Sequence, residues 1–215
     1  MADPGIIDLA KAPTVTDPKV LRERFGEPLD KGLMMHIPYL HEQHKLFIAH
    51  APYVLVATVA QDGIPTVSPK GDAPGFVRVV DDKTLVIPDR PGNNQVVNLI
   101  NLVRNPGVGL CFLIPGIREV LRIVGTAKVT LDEDVCATFS AGGKAATAAV
   151  IVTVKDVFIH CGKNILRAKL WEPDYRSDYT VIPTIGANMI AVQNLDMPPN
   201  AIDDFAEEYY ANTLY

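Results

Sequence analysis

Residues 67–94, VSPKGDAPGFVRVVDDKTLVIPDRPGNN, gather the side chains of this sequence best suited to handling an anion. Ser68 and Lys70 stand two apart near the end of an extended run, so strand alternation puts both on one face. Pro88-Asp89-Arg90-Pro91-Gly92-Asn93-Asn94 then leads straight into a segment of helical period. A helix start offers unpaired N–H groups and partial positive charge, which suit a phosphate. Gly92 would let the backbone come close, Asn93 or Asn94 would cap or donate, and Arg90 would add a two-pronged contact. If the two strands are neighbours, Ser68, Lys70, Arg90 and the helix start converge on a phosphate. The same residues also fit a capped helix with ordinary surface ion pairs, and the pattern alone leaves both readings open.

Other chemistries find less support. Gly143-Lys144 has the end of a P-loop, but Thr138 replaces its first glycine and Ala145 its magnesium-holding hydroxyl. No G-x-G-x-x-G or G-x-S-x-G occurs, so neither a dinucleotide fingerprint nor a nucleophile elbow is present. His41 and His44 are three apart, whereas the zinc-protease motif needs four. His36 and His50 add no third ligand at recognisable spacing, so no metal is expected. Cys111 and Cys136 sit in apolar runs and read as core, while Cys161 follows a strand end.

The elements that would position these residues follow from periodicity. Residues 17–25 form a short helix, with Pro18 in its first turn and Gly26 as its stop. Residues 39–49 form another, placing Leu40, Phe47 and Ile48 on one face. Strands at 53–60 and 64–68 flank an Asp62-Gly63 turn, and strands at 76–80 and 84–87 make a second hairpin. A helix over 94–104 carries Val96, Ile100 and Val103 on its apolar face and stops at Asn105-Pro106-Gly107. Strands at 108–114 and 119–130 surround Pro115-Gly116, followed by a helix over 131–140 and a strand over 149–160. Short helices complete the chain, including an acidic one over 201–211. Hairpin-linked strands with one inserted helix predict a mainly β, α+β fold: a small antiparallel barrel with flanking helices. One domain is expected over 1–215, with a helical extension to residue 50, a barrel over 51–160 and a helical segment over 161–215.

Composition bounds the partners. The net charge is −5, so no global positive field draws in nucleic acid, and an anionic ligand needs a local cluster. No run approaches the ~20 apolar residues of a membrane span. The opening residues have no apolar signal core, and three scattered cysteines do not make a disulfide framework. A soluble, cytoplasmic protein is expected.

The order of these features resembles the pyridoxamine 5′-phosphate oxidase-like FMN-binding family. The resemblance lies in the Asp-Gly hairpin, Ser-Pro-Lys-Gly-Asp, the Asn-Asn pair before a helix ending in Asn-Pro, and the strands GVGLCFLIPG and EVLRIVGTAKVT. HCGKNILRAKLW is similar to the C-terminal element of a subgroup of probable FMN-dependent enzymes. The likeness covers about residues 38–172 and implies a split barrel, a homodimer and FMN at the subunit interface. It assigns Val67, Ser68 and Lys70 to the flavin and its phosphate, together with Pro88. Asn93 and Asn94 stand for the family's basic pair, with Arg90 replacing the missing charge. Arg122 would run beside the flavin, and Lys163 and Asn164, with Arg167, would approach the ring from the partner subunit. Lys70 or Arg122 would place positive charge beside the ring's N1 and O2.

The implied function is an FMN-dependent oxidoreductase acting on a small molecule. The alternative is a non-catalytic carrier or sensor of flavin, haem or deazaflavin F420. Pro65 stands where the true oxidases have an arginine, and their C-terminal Arg-Leu-His-x-Arg motif is absent. The resemblance therefore does not extend to pyridoxamine phosphate as substrate.

Overall fold

The structure, a computed structural model, describes residues 11–28, 35–172 and 181–214. The chain divides into two compact units, residues 1–35 and 36–215. In the first, α1 (Pro18–Phe25) has no buried residue and is specified by its ends. The Asp17 side chain accepts the Lys19 N–H at 2.9 Å, and Gly26 takes φ 72° to close the helix.

The second unit opens with α2 (Glu42–His50), three residues later than periodicity predicts. Its start is set by an imidazole: His44 Nδ1 accepts the backbone N–H of His41 at 3.2 Å. Leu40 and Ile48 are buried, as expected of their shared face. His44 is 8% exposed, and burial, then the neighbouring His41, hold its pKa below the ordinary 6.5. The hydrogen bond needs the Nδ1 lone pair, so the ring is neutral with its proton on Nε2. Below pH 6.5 the unfolded chain takes up a proton that the folded chain resists. Stability is therefore full above 6.5 and lost as pH falls toward the depressed folded value. Urea midpoints measured from about pH 8 to about pH 5 should decline, and His44→Gln should remove that part of the slope. An unchanged slope would refute the assignment.

Seven antiparallel strands follow in the order β2-β1-β5-β6-β7-β4-β3. They are β1 (Tyr53–Val59), β2 (Pro65–Gly71), β3 (Arg78–Asp81), β4 (Thr84–Asp89), β5 (Gly107–Leu113), β6 (Val120–Thr130) and β7 (Ala148–His160). Alternation is plain in β1, where Val54, Val56 and Thr58 face inward. Their neighbours across the core include Phe112, Leu121, Ile123, Leu85, Ile87, Val150 and Val152. Asp62-Gly63 makes the first hairpin turn, with Gly63 at φ 83°. The expected strand start at Phe76 moves to Arg78, because Phe76 N–H closes a turn onto the Ala73 carbonyl at 3.1 Å.

The helix inserted after β4, α3 (Val97–Arg104), corrects the sequence reading twice. It starts three residues late, because Asn94 and Val96 take φ of 56° and 44°, a left-handed backbone no helix can include. Asn93 does not cap it; its Oδ1 accepts the Gln95 N–H at 3.1 Å in a local turn. The apolar stripe is also reversed: Val96, Ile100 and Val103 are exposed, and Asn98, Asn101 and Leu102 are buried. Asn101 Nδ2 donates to Thr58 Oγ1 at 3.1 Å and to Thr66 Oγ1 at 3.0 Å, fastening α3 over the β1–β2 hairpin.

Among the described residues the remaining helices are α4 (Glu133–Ala137), α5 (Lys163–Ala168), α6 (Ile185–Gln193) and α7 (Pro199–Thr213). α4 is shorter than expected because the hydroxyls of Thr138 and Ser140 bond back to the Val135 and Ala137 carbonyls and end it. Asp203 of α7 accepts from the Thr184 hydroxyl and the Gly186 N–H, which pins the start of α6. The sheet is curled but not closed, a split barrel of the α+β class, as the sequence predicts.

Candidate functional site

The seam of the split barrel is where the expected residues meet. β2 and β4 are not hydrogen-bonded neighbours, since four strands separate them in the sheet. Curling brings their ends together, and charge pairs span the gap. Lys70 Nζ is paired with Asp89, and Arg90 Nε donates to Asp72 Oδ2 at 2.9 Å. Arg90 Nη1 also donates to the Phe139 carbonyl. The ion-pair reading and the convergence reading thus each describe part of the site: the cations converge, each already holds a carboxylate, and the expected helix cap is absent.

Beside this seam lies a cleft of about 510 Å³, within the usual range for small-molecule sites. Ser68, Lys70, Pro88, Arg90, Asn93 and Asn94 all line it. Their side chains reach it because β2 alternates: Ser68 and Lys70 turn inward while Val67 is 60% exposed on the other face. Val67 does not line the cleft. Arg122 stands exposed on β6, opposite Cys111 on one side and Phe158 on the other. Lys163 and Asn164 open α5, whose Ile165 and Leu166, with Lys169 just past its end, border a separate depression with Ile117 and Trp171. Four of the ten expected residues therefore lie away from the cleft within this chain.

The cleft also contains residues that sequence reasoning did not select. Asp89 brings a carboxylate, Phe76 and Val97 bring apolar walls, and Thr147 closes one side. Asn98 is the most informative. It lines the cleft, is 5% exposed, and its Nδ2 finds no hydrogen-bond partner. A buried amide donor without a partner is costly and signals a missing acceptor. Its signal in the sequence was available: Asn98 and Asn101 are three apart and share one helix face in VNLINLVR. Val96, a β-branched residue at φ 44°, adds local strain at the same rim.

Other titratable groups point elsewhere. Burial pushes the Cys111 thiol pKa up against the opposing effect of Arg122, so Cys111 is not an activated nucleophile. His36 Nδ1 lies 2.9 Å from Asp156 Oδ2 of β7, and its ring stacks on Phe158 of the same strand at 4.3 Å, an exposed pair. Among the described residues, no three His, Cys, Asp or Glu side chains gather as a metal site, and no helix is long and apolar enough to cross a membrane.

Comparison with known proteins places the fold. No curated protein matches the sequence. Among solved structures, a variant of HupZ from Group A Streptococcus shares 24% identity over 56% of this chain and 99% of its own, with a TM-score of 0.47. A candidate pyridoxamine 5′-phosphate oxidase from Lactobacillus delbrueckii shares 25% identity over 57% and 95%, with a TM-score of 0.45. An F420 reductase shares 18% identity over 56% and 98%, with a TM-score of 0.41. At these TM-scores the placement rests on the sequence family. The family profile described as pyridoxamine 5′-phosphate oxidase matches residues 40–161, more than half of the chain, and the chain belongs to that family.

Proposed function

We propose that the chain binds FMN in the seam cleft and works as a flavin-dependent oxidoreductase on a small molecule. The observation that carries this reading is the Asn98 amide, buried and without an acceptor, lining a cleft whose rim carries Lys70, Ser68, Asn93 and Asn94. These donors fit a phosphate and a polar ring edge, while Phe76, Pro88 and Val97 supply the apolar walls that exclude water. FMN, when bound, supplies hydride or electron transfer. The chain's part is placement: Lys70 brings positive charge, Asn98 brings an oriented donor, and the Thr58–Thr66–Asn101 network holds the helix that carries Asn98.

The same proposal includes a homodimer. Ile100 and Val103 leave aliphatic surface exposed on the outer side of α3, with Val103 76% exposed, and a second copy is the simplest cover for it. Arg122, Lys163 and Asn164, displaced from the cleft of their own chain, would then serve the partner's cleft. A cytoplasmic setting accords with the free state of Cys111, Cys136 and Cys161.

The visible spectrum tests this directly. Purified protein incubated with FMN and freed of excess by gel filtration should keep bands near about 375 and 450 nm at roughly one flavin per chain. Colourless protein after that treatment would overturn the proposal.

A further inference from the structure

We infer that Asp89 competes with the ligand for Lys70 and thereby sets how strongly the cleft takes a phosphate-bearing molecule; this rests on the flavin reading. The two seam pairs are not equivalent. Arg90 is anchored twice, by Asp72 and by the Phe139 carbonyl, and its planar fork has little freedom to turn elsewhere. Among the described residues Lys70 pairs with the Asp89 carboxylate, and an ammonium is a point charge on a flexible stem that can change partners. Both members of this pair line the cleft, so the exchangeable cation and its competitor sit where the ligand does.

Asp89 is itself fixed. It ends β4, is almost fully buried, and its carbonyl accepts the Thr147 N–H at 3.0 Å. A phosphate approaching Lys70 therefore meets a buried carboxylate on a pinned backbone, and like charges at close range repel. A site built only to grip phosphate would carry no carboxylate here. Asp89 is a repulsive element that lowers the advantage of a phosphate monoester over the same molecule without its phosphate.

FMN and riboflavin are the probes, since they share a ring and differ in the phosphate. In wild-type protein FMN should bind no more than about tenfold tighter than riboflavin, because Asp89 offsets the phosphate's gain. Asp89→Asn keeps the shape and removes the charge. It should tighten FMN by roughly tenfold and leave riboflavin within about twofold. In a Lys70→Gln background the gain should vanish, since the cation under competition is gone.

Fluorescence titration of the four proteins, with melting curves to confirm folding, separates the outcomes. Folded Asp89→Asn protein with unchanged or weaker FMN affinity overturns the inference while leaving FMN binding by the wild type intact. So does a gain shared equally by riboflavin, or one that survives Lys70→Gln. If the variant does not fold, the wild-type ratio decides alone: FMN bound more than about tenfold tighter than riboflavin overturns the inference. Failure of the wild type to bind either flavin overturns both readings.

Discussion

Arg90→Ala should destabilise the protein by about 2 kcal/mol or more, because it takes the neutralising cation from a buried carboxylate that still accepts the Ala73 N–H. The Asp72 side chain that Arg90 holds is 4% exposed. Truncation also frees the Phe139 carbonyl and unties β4 from the segment after β2. Urea denaturation would show the loss as a lower midpoint at unchanged slope. Arg90→Met with Asp72→Asn removes both charges and should recover part of it. A single variant within about 0.5 kcal/mol of wild type would mean that the pair does not close the seam. Alanine at Arg90 is thus a poor probe of ligand binding, since its first effect is on the fold.

Gly125→Ala is the second change with a large expected effect. Gly125 sits where the β6–β7 register slips, between Val124 opposite Asp156 and Gly125 opposite Val154. A β-carbon at this position would overlap the Thr153 carbonyl oxygen, which is backbone and has little room to move. The β6–β7 pair runs through the middle of the sheet, so the strain cannot be shed at an edge. Loss of about 3 kcal/mol or more, or failure to fold, is expected by thermal unfolding followed by circular dichroism. A melting temperature equal to that of wild type would show that the bulge tolerates a side chain.

Local chemistry made most of the fold legible. Asp62-Gly63 and Pro115-Gly116 are turns because glycine takes φ of 83° and 85° there, and that preference is written in the dipeptides themselves. Alternation in β1 and the Asp17/Gly26 ends of α1 are equally local. What the sequence hid was tertiary. The valine-rich stripe of α3 reads as a core face, yet the hairpin beneath the helix offers Thr58 and Thr66 hydroxyls, so the asparagine face packs inward instead. The late start of α3 depends on left-handed Asn94 and Val96, and nothing in a valine predicts φ 44°.

The site was legible as a set of cations and not as a charge balance. Lys70 and Arg90 stand out as positive residues beside strand ends, and both line the cleft although β2 and β4 are not the neighbours that the expectation required. Asp72 and Asp89 lie within two residues of them in sequence but pair crosswise, Lys70 with Asp89 and Arg90 with Asp72. Only curling of the sheet creates that arrangement. Asn98 was overlooked because a polar residue inside a helix is ordinarily solvent-facing, and its importance appears only with its burial.

The central claim, that flavin occupies the seam cleft and satisfies Asn98, is tested most directly by titrating FMN into Asn98→Leu protein alongside wild type. Removing an unpartnered buried donor should leave the melting temperature of the ligand-free protein unchanged or higher, while FMN affinity falls by roughly tenfold. Affinity equal to that of wild type in the folded variant would contradict the account, because the amide would then have no ligand to meet.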